Sequence, residues 1–334
     1  MAKQSNKKEE QDKKDPFKEA LKGMETRYGV GVVVGEEDIS DLEVVSTGSI
    51  MLDIATGIGG YPLGKVIEIY GVESSGKSTI TLHAIAEFQK RYPNDEVVLI
   101  DKEYSYDKQY AAAIGVNTKR LTILQPDSQE DMYNIIETLV KTKRVRLVVI
   151  DSTSAALPKG IIDGEVGKQL PGGSGRNNST GLGKLKGELA KGKCTLIGIA
   201  QLRADIGGYG GMKPNSGNAW KFYSDMRMSV QKEVKGEDSM NKTTVTVAKN
   251  KCSEPYGKAI FEIAWGKGID RQKEIIDCAV EFKLIEKGGS WYTLAEGVKV
   301  QGEDAVRQFM LDNENWALTI EEAVIEKLRE AESK

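Results

Sequence analysis

Eight consecutive residues carry the clearest chemistry in this chain. Gly71-Val72-Glu73-Ser74-Ser75-Gly76-Lys77-Ser78 fits Gly-x-x-x-x-Gly-Lys-Ser/Thr, and Thr79 follows. Glycines let backbone N–H groups converge, and a helix N-terminus behind them adds more donors, so the loop can cradle an anion. In such a loop Lys77 would reach the β and γ phosphates and Ser78 would ligate Mg2+. A plain glycine-rich turn capping a helix would use the same glycines. The β-rich run before it and the helical pattern after it favour the phosphate loop.

Three other polar residues stand at the ends of apolar runs. Asp151 closes Leu147-Val148-Val149-Ile150. A carboxylate at the C-terminal end of a buried strand faces the crevice where ligands bind, and would hold Mg2+ directly or through water. Its other use there is as a helix N-cap. Glu103 lies just past Val97-Val98-Leu99-Ile100-Asp101. It could orient and deprotonate a water attacking a γ-phosphate, or be a solvated loop acid. Gln201 ends the run Thr195–Ala200, where a neutral amide could sense a γ-phosphate; spacing alone does not decide this.

These residues need a scaffold. Val66–Tyr70, Glu96–Asp101, Leu121–Leu124, Leu147–Asp151 and Thr195–Gln201 read as strands, with helices over Ser78–Tyr92 and Gln129–Lys141. Apolar strands alternating with helices predict an α/β core with a mostly parallel sheet buried on both faces. Met226–Glu233, Thr243–Asn250 and Gly257–Trp265 follow without helices and predict an antiparallel extension. Residues 1–15 are polar and aperiodic. Asp15, Pro16 and the spacing of Phe17, Ala20, Leu21 and Met24 predict a short helix over about 16–28. The expected organisation is a leader and helix over 1–35, an α/β core over 36–270, and a small α+β domain over 271–334. Sixteen of the 36 glycines fall between positions 160 and 217, which predicts two mobile loops, around 164–177 and 204–218.

Composition excludes several classes. The 334 residues are 39% hydrophobic and 29% charged, an ordinary globular mix, with a net charge of −3. No apolar run approaches the roughly 18 residues of a membrane span, and no secretory signal is visible. Three dispersed cysteines form no disulfide framework and fit a reducing cytoplasm. A single histidine, His83, makes a Ser-His-Asp triad or a histidine zinc site improbable.

The order of the motifs resembles that of the bacterial RecA recombinases, including phage-encoded relatives. The resemblance runs from about Phe17 to about Leu328. It is carried by STGS at 46–49 with LDIATGIGGYPLGKVIEIYG, then GVESSGKST and IDKEYSYDKQYAAAIGV. VVIDSTSAALPK, GIAQLRADIG, GNAWKFYSDMR, VTVAKNKCSEP and KLIEKGGSWY complete the series. The resemblance implies an ATP- and Mg2+-dependent, DNA-stimulated ATPase of the cytoplasm. It would form helical filaments on single-stranded DNA and exchange strands with homologous duplex DNA. Partners would then be both kinds of DNA, further copies of the chain, and single-strand-binding and loader proteins; no membrane is implied.

Residue by residue, the resemblance makes Glu103 the water-activating glutamate and Gln201 the coupler of γ-phosphate to DNA. Asp107 and Tyr110 would contact adenine, although a tyrosine at such spacing is as often core. Lys249 and Lys251 would reach the ATP of a neighbouring subunit, and Phe222, with Phe17 and Leu21, would lie at subunit interfaces. Gly164, Glu165, Arg176 and Ser179 would belong to a first DNA-binding region, and Arg203, Gly217 and Asn218 to a second. Val72, Lys102, Tyr104 and Ala200 depart from the family's usual residues, as do the segments 168–175 and 204–212. Autoinhibition by a long acidic tail is not expected. Two rivals share the core: a hexameric helicase, which would form rings, and a non-catalytic ATP-binding regulator, which intact Lys77, Glu103 and Asp151 argue against.

Overall fold

In a computed structural model of the chain, residues 16–28, 42–164, 173–204, 212–233 and 242–332 are described. The helix α1 (Pro16–Tyr28) stands as expected, with Glu19 in its first turn and Arg27 in its last, each complementing the helix dipole. Phe17 and Met24 are exposed on it, 68% and 51%; the Leu21 side chain lies outside the described set. Glu43–Lys334 forms a second unit.

That unit begins with β1 (Val44–Val45), α2 (Ile50–Ala55) and β2 (Tyr61–Pro62). The α/β core follows as β3 (Val66–Gly71), α3 (Lys77–Arg91), β4 (Glu96–Asp101), α4 (Lys108–Ile114), β5 (Leu121–Leu124), α5 (Gln129–Lys141) and β6 (Val145–Asp151). It continues through α6 (Lys159–Ile162), α7 (Gly173–Gly192), β7 (Thr195–Ala204), β8 (Met212–Pro214), α8 (Gly217–Tyr223), β9 (Met226–Glu233), β10 (Lys242–Asn250), β11 (Lys258–Ala264) and β12 (Gly268–Ile269). The large sheet has the order β12-β11-β10-β9-β3-β7-β6-β4-β5, with β8 paired to β7. From β9 to β5 the strands are parallel.

The apolar runs are continuous because the two faces of the sheet are both buried. Val97, Leu99, Leu147, Val149 and Ile197 join Ile80, Ile85 and Phe88 of α3 in one core. The alternate residues Val98, Ile100, Val148, Ile150 and Leu196 join Met132 and Ile136 of α5 and Leu182, Leu185 and Leu189 of α7 in the other. Period-two alternation thus appears between two cores rather than between core and water.

Three expectations change. Met226–Glu233 pairs parallel with β3; the antiparallel extension starts only with β10. Gln201 does not end its strand, because β7 runs on to Ala204, where Leu202 and Ala204 pair with Pro214 and Met212. The first glycine-rich loop is shorter than the composition implies, since α7 begins at Gly173 and holds Arg176 and Ser179. Glycine there serves close packing: a Cβ on Gly181 would lie 2.4 Å from the Tyr133 ring, and one on Gly183 would meet Tyr223 Oη at 3.1 Å. Residues 165–172 and 205–211 lie outside the described residues.

Beyond β12 come α9 (Arg271–Glu281), the antiparallel sheet of β13 (Glu286–Gly288), β14 (Trp291–Thr293) and β15 (Lys299–Gln301), then α10 (Glu303–Asp312) and α11 (Glu314–Glu332). The β part of the expected small α+β domain is therefore a three-stranded sheet. Ile275, Ile276, Tyr292, Val306 and Val324 form a third core, which also takes in Ile50 of α2. At this junction Glu274 is buried and accepts from Ser49 Oγ (2.7 Å) and Ile50 N (2.8 Å). Arg271 reaches Asp53 at 3.3 Å and Glu321 at 2.6 Å.

Candidate functional site

The site is set by strand register. Gly71, the first residue of the glycine loop, lies opposite Gln201 on one side and Val230 on the other. Asp101 lies opposite Asp151. Gly71, Asp101 and Asp151 close their strands, and Gln201 lies level with Gly71 although β7 runs on, so the four gather at the carboxyl edge of the parallel sheet, where open α/β sheets place ligands.

The loop turns into α3 at Gly76, whose φ of +100° favours glycine, and no side chain caps the helix. The first-turn N–H groups of a 15-residue helix therefore keep their donors for another acceptor. Glu73 and Ser74 are exposed on the loop. Ser75 Oγ is buried without a hydrogen-bond partner among the described residues. An uncapped helix end beside an unsatisfied hydroxyl fits a phosphate group.

Lys77 is buried, and its Nζ donates to Val72 O at 2.6 Å. Burial pulls its ammonium below the ordinary lysine range, against the opposing charges of Asp151, Glu103 and Glu73. Ser78 Oγ donates to Asp151 Oδ2 at 3.1 Å. Burial first, then the Glu103 charge, pushes the Asp151 carboxyl up to about 6. Hydroxyl and carboxylate oxygens side by side suit Mg2+, which takes few protein ligands and completes its shell with water and phosphate. Among the described residues no group of three or more His, Cys, Asp or Glu could hold a metal by itself.

Glu103 and Gln201 meet: Gln201 Nε2 donates to Glu103 Oε1 at 3.2 Å. Asp101, given no role in the sequence analysis, anchors the turn that carries Glu103. It is buried and accepts from Ser105 N (3.2 Å) and Tyr106 N (3.3 Å), which bends the chain at Glu103. Lys102 turns away and donates to Pro126 O at 2.5 Å, so its bulk does not crowd the carboxylate.

A cavity of about 680 Å3 opens beside Lys77, Ser78 and Thr79. Asp107 and Tyr110 line it, and the Tyr110 hydroxyl shares a 2.8 Å hydrogen bond with Thr79 Oγ1. Asp107 also caps α4, accepting from Gln109 N and Tyr110 N. Lys232, Thr243, Ile263 and Trp265 contribute to the opposite part of the lining, and sequence reasoning missed all four. Trp265 is 96% exposed. An aromatic set among turn glycines, Trp265-Gly266-Lys267-Gly268, was the available sign.

Lys249 and Lys251 lie elsewhere. Lys249 stands opposite Arg227, which stands opposite Glu68, three residues before Gly71. At about 3.3 Å per residue that is roughly 10 Å back along the strand, toward the amino edge. Lys249 Nζ donates to Lys221 O (2.9 Å) and Phe222 O (3.2 Å), and Lys251 Nζ pairs with Asp225 at 3.4 Å. Burial first, then Lys251, lowers the Lys249 pKa. Phe222 is 69% exposed beside them. The two lysines and this phenylalanine thus share one surface, and it is not the surface of their own phosphate loop.

Of the residues in the glycine-rich regions, Arg176 and Ser179 are exposed on α7, Arg203 is exposed on β7, and Gly217 and Asn218 open α8. Gly164 is exposed just past α6. Glu165 lies outside the described residues.

Comparison with known proteins places this geometry. Residues 15–270 match the family model described as RecA N-terminal domain, and residues 273–329 match RecA C-terminal domain. "Protein RecA" of Xanthomonas campestris pv. campestris (strain B100) is 42% identical, with 97% of each chain covered. "Protein RecA" of Xanthomonas axonopodis pv. citri (strain 306) is 41% identical over 97% of this chain and 96% of its own. With both family models and relatives this similar along almost its whole length, the chain belongs to the RecA family.

Proposed function

We propose that the chain is a DNA-dependent ATPase of homologous recombination and repair, which forms filaments on DNA and pairs and exchanges homologous strands. Its family membership supports the activity, and the geometry supports a division of labour. The chain divides into a leader and polymerisation helix over 1–35, an ATPase core over 36–270 and a small domain over 271–334. No described helix is long and apolar enough to cross a membrane.

The nucleotide is ATP with Mg2+. Backbone N–H groups from Glu73 to Thr79 and the Lys77 ammonium hold the phosphates, and Ser78 and Asp151 hold the cation. Bound there, Mg2+ would offset triphosphate charge and orient the γ-phosphate. Asp107 and Tyr110 bind the adenine, with Trp265 at the mouth of the same cavity. Glu103 takes the proton from the attacking water and holds it at Oε1 or Oε2. Gln201, bonded to Glu103, senses the γ-phosphate and passes the change along β7 to Arg203. Arg176, Ser179, Arg203, Gly217 and Asn218, with Gly164 and Glu165, follow the backbone of single-stranded DNA. Backbone contacts suffice because base pairing supplies the sequence specificity.

The observation that carries the assembly is the place of Lys249 and Lys251, roughly 10 Å back along the sheet from the phosphate loop of their own chain. They complete the ATP site of a neighbour, with Phe222 at the contact. Mixing two inactive variants tests this. Lys77→Ala lacks the loop lysine, and Lys249→Ala/Lys251→Ala lacks the donated pair. Alone, neither should hydrolyse ATP on single-stranded DNA; together they should regain part of the activity, because mixed junctions hold one intact site. No recovery in the mixture, with each variant folded and able to bind DNA, would show that the lysines act within their own chain or not at all.

A further inference from the structure

Ser216 immediately precedes α8 and has the residue type of an N-cap. Such a serine ordinarily accepts from an N–H in the first helical turn. Here it makes no cap bond and adopts helical angles, φ −70° and ψ −11°. It is 2% exposed, and its hydroxyl turns inward to donate to Glu68 Oε1 at 2.6 Å. Glu68 is wholly buried in β3, and its other oxygen accepts from Arg227 Nε at 2.5 Å. The Arg227 guanidinium in turn lies over the Tyr70 ring, 4.5 Å from its centroid.

The other side of Ser216 is held as firmly. Its carbonyl accepts from Asn178 Nδ2 at 3.0 Å. Asn178 is 2% exposed within α7, between Arg176 and Ser179. Asn178 Oδ1 accepts from Gln129 Nε2 (2.6 Å) and from the Tyr133 hydroxyl (2.8 Å). These two donors fix the amide, so its NH2 must face Ser216. Buried asparagine within a helix has poor intrinsic propensity, and three satisfied bonds offset that cost.

One residue therefore joins three elements: α7, behind the first glycine-rich region; α8, at the foot of the second; and β3, which ends in the phosphate loop. We propose that Ser216, clasped between Asn178 and Glu68, is a positioning residue through which the two DNA-binding regions and the nucleotide loop set one another's geometry. The inference rests on the reading of those two regions as DNA-binding. Coupling between sites is a free energy and is reciprocal, so nucleotide should tighten DNA binding and DNA should tighten nucleotide binding by one factor. A buried chain of hydrogen bonds is high-stakes because each member loses its partner if one moves.

The test measures single-stranded DNA affinity with and without a non-hydrolysable ATP analogue, and analogue affinity with and without DNA. The chains compared are wild type, Ser216→Ala and Ser216→Thr. Ser216→Ala keeps the carbonyl that Asn178 grips and loses only the link to Glu68. It should shrink the coupling factor at least about fivefold, the lower end of ordinary allosteric coupling. Analogue affinity without DNA should stay within about twofold. Ser216→Thr, which keeps the hydroxyl, should restore the factor. Asn178→Asp, which loses the donor to Ser216 O but keeps the acceptor, should lower the factor in the same way. A wild-type factor that survives in Ser216→Ala and Asn178→Asp overturns the clasp alone. So does an equal loss in Ser216→Ala and Ser216→Thr, which would mark a packing defect. A wild-type chain that binds both ligands with no coupling overturns the clasp alone, and one that binds no single-stranded DNA overturns the DNA-binding reading on which the clasp rests.

Discussion

Glu274 should make the stability of the protein depend on pH near neutrality, and Glu274→Gln should remove that dependence. Its carboxyl is buried where α9 meets α2, and burial pushes it up to about 7 from an ordinary 4.5, against the pull of Ser49, Ile50 N and Arg271 and with the help of Asp53. Asp53 is itself pushed up by burial, against Ser46, Thr47 and Arg271. The folded chain keeps the Glu274 proton up to about pH 7, and the unfolded chain releases it near 4.5. Between those values the folded state binds more protons, so stability falls as pH rises and the loss is complete above pH 7. At about 1.4 kcal/mol for each tenfold, the loss is about 3 kcal/mol. Glutamine keeps the shape of the neutral acid: its oxygen can accept from Ile50 N, and its NH2 can donate to Ser49 Oγ, which already accepts from Leu52 N. His83, held down at about 4 by burial, gives the opposite slope from its ordinary 6.5 downward in both chains, so it cancels in their difference. Urea unfolding of both chains at pH 5, 6, 7 and 8 measures that difference. It should shift in favour of the variant as pH rises, by up to about 3 kcal/mol. Parallel curves would refute the reasoning, since they would mean that Glu274 is ionised in the fold throughout.

Glu103→Gln should keep nucleotide binding and lower DNA-stimulated ATP turnover by about 10²–10⁴-fold, the worth of a positioned general base, as single-turnover phosphate release would show. Near-normal turnover would remove Glu103 from the chemistry. Arg176→Ala should weaken single-stranded DNA binding alike on all sequences, and each lost phosphate contact should reduce the log–log salt slope by about 0.7. An unchanged slope would mean that this exposed arginine of α7 touches no phosphate. Gly181→Ala should destabilise the fold by about 1–3 kcal/mol in urea unfolding, because its Cβ would lie 2.4 Å from the Tyr133 ring. A neutral effect would show that α5 and α7 can move apart at no cost.

The elements that the sequence made legible are those whose partners are local or uniform. Val97-Val98-Leu99-Ile100 is apolar at every position because each residue meets one of two cores, and a fully buried strand needs no other cue. The phosphate loop is likewise a local device, in which glycine, lysine and serine stand within one turn of α3. Direction was less legible. Met226–Glu233 has the same composition whether it runs with β3 or against it, and only its placement beside Ile67–Gly71 makes it parallel. Glycine content misled over the start of α7, because Gly173 and Gly175, inside the loop expected around 164–177, belong to its first turn. The cavity wall of Lys232, Thr243, Ile263 and Trp265 was hidden because β9, β10 and the residues in and just after β11 contribute to it from far along the chain.

Ser216 shows why local rules fail where they do. A serine before a helix predicts a cap worth about 1 kcal/mol on the surface. Its hydroxyl instead serves a wholly buried glutamate. A carboxylate in that position has two oxygens to satisfy, and Arg227 covers only one. An unsatisfied buried charge costs more than a lost cap, and a hydrogen bond to an ionised group is worth about twice a neutral one. Glu68 therefore takes the hydroxyl, and the helix goes uncapped by its serine. The deciding partner lies 148 positions away, so no window of sequence around Ser216 contains the reason for its conformation.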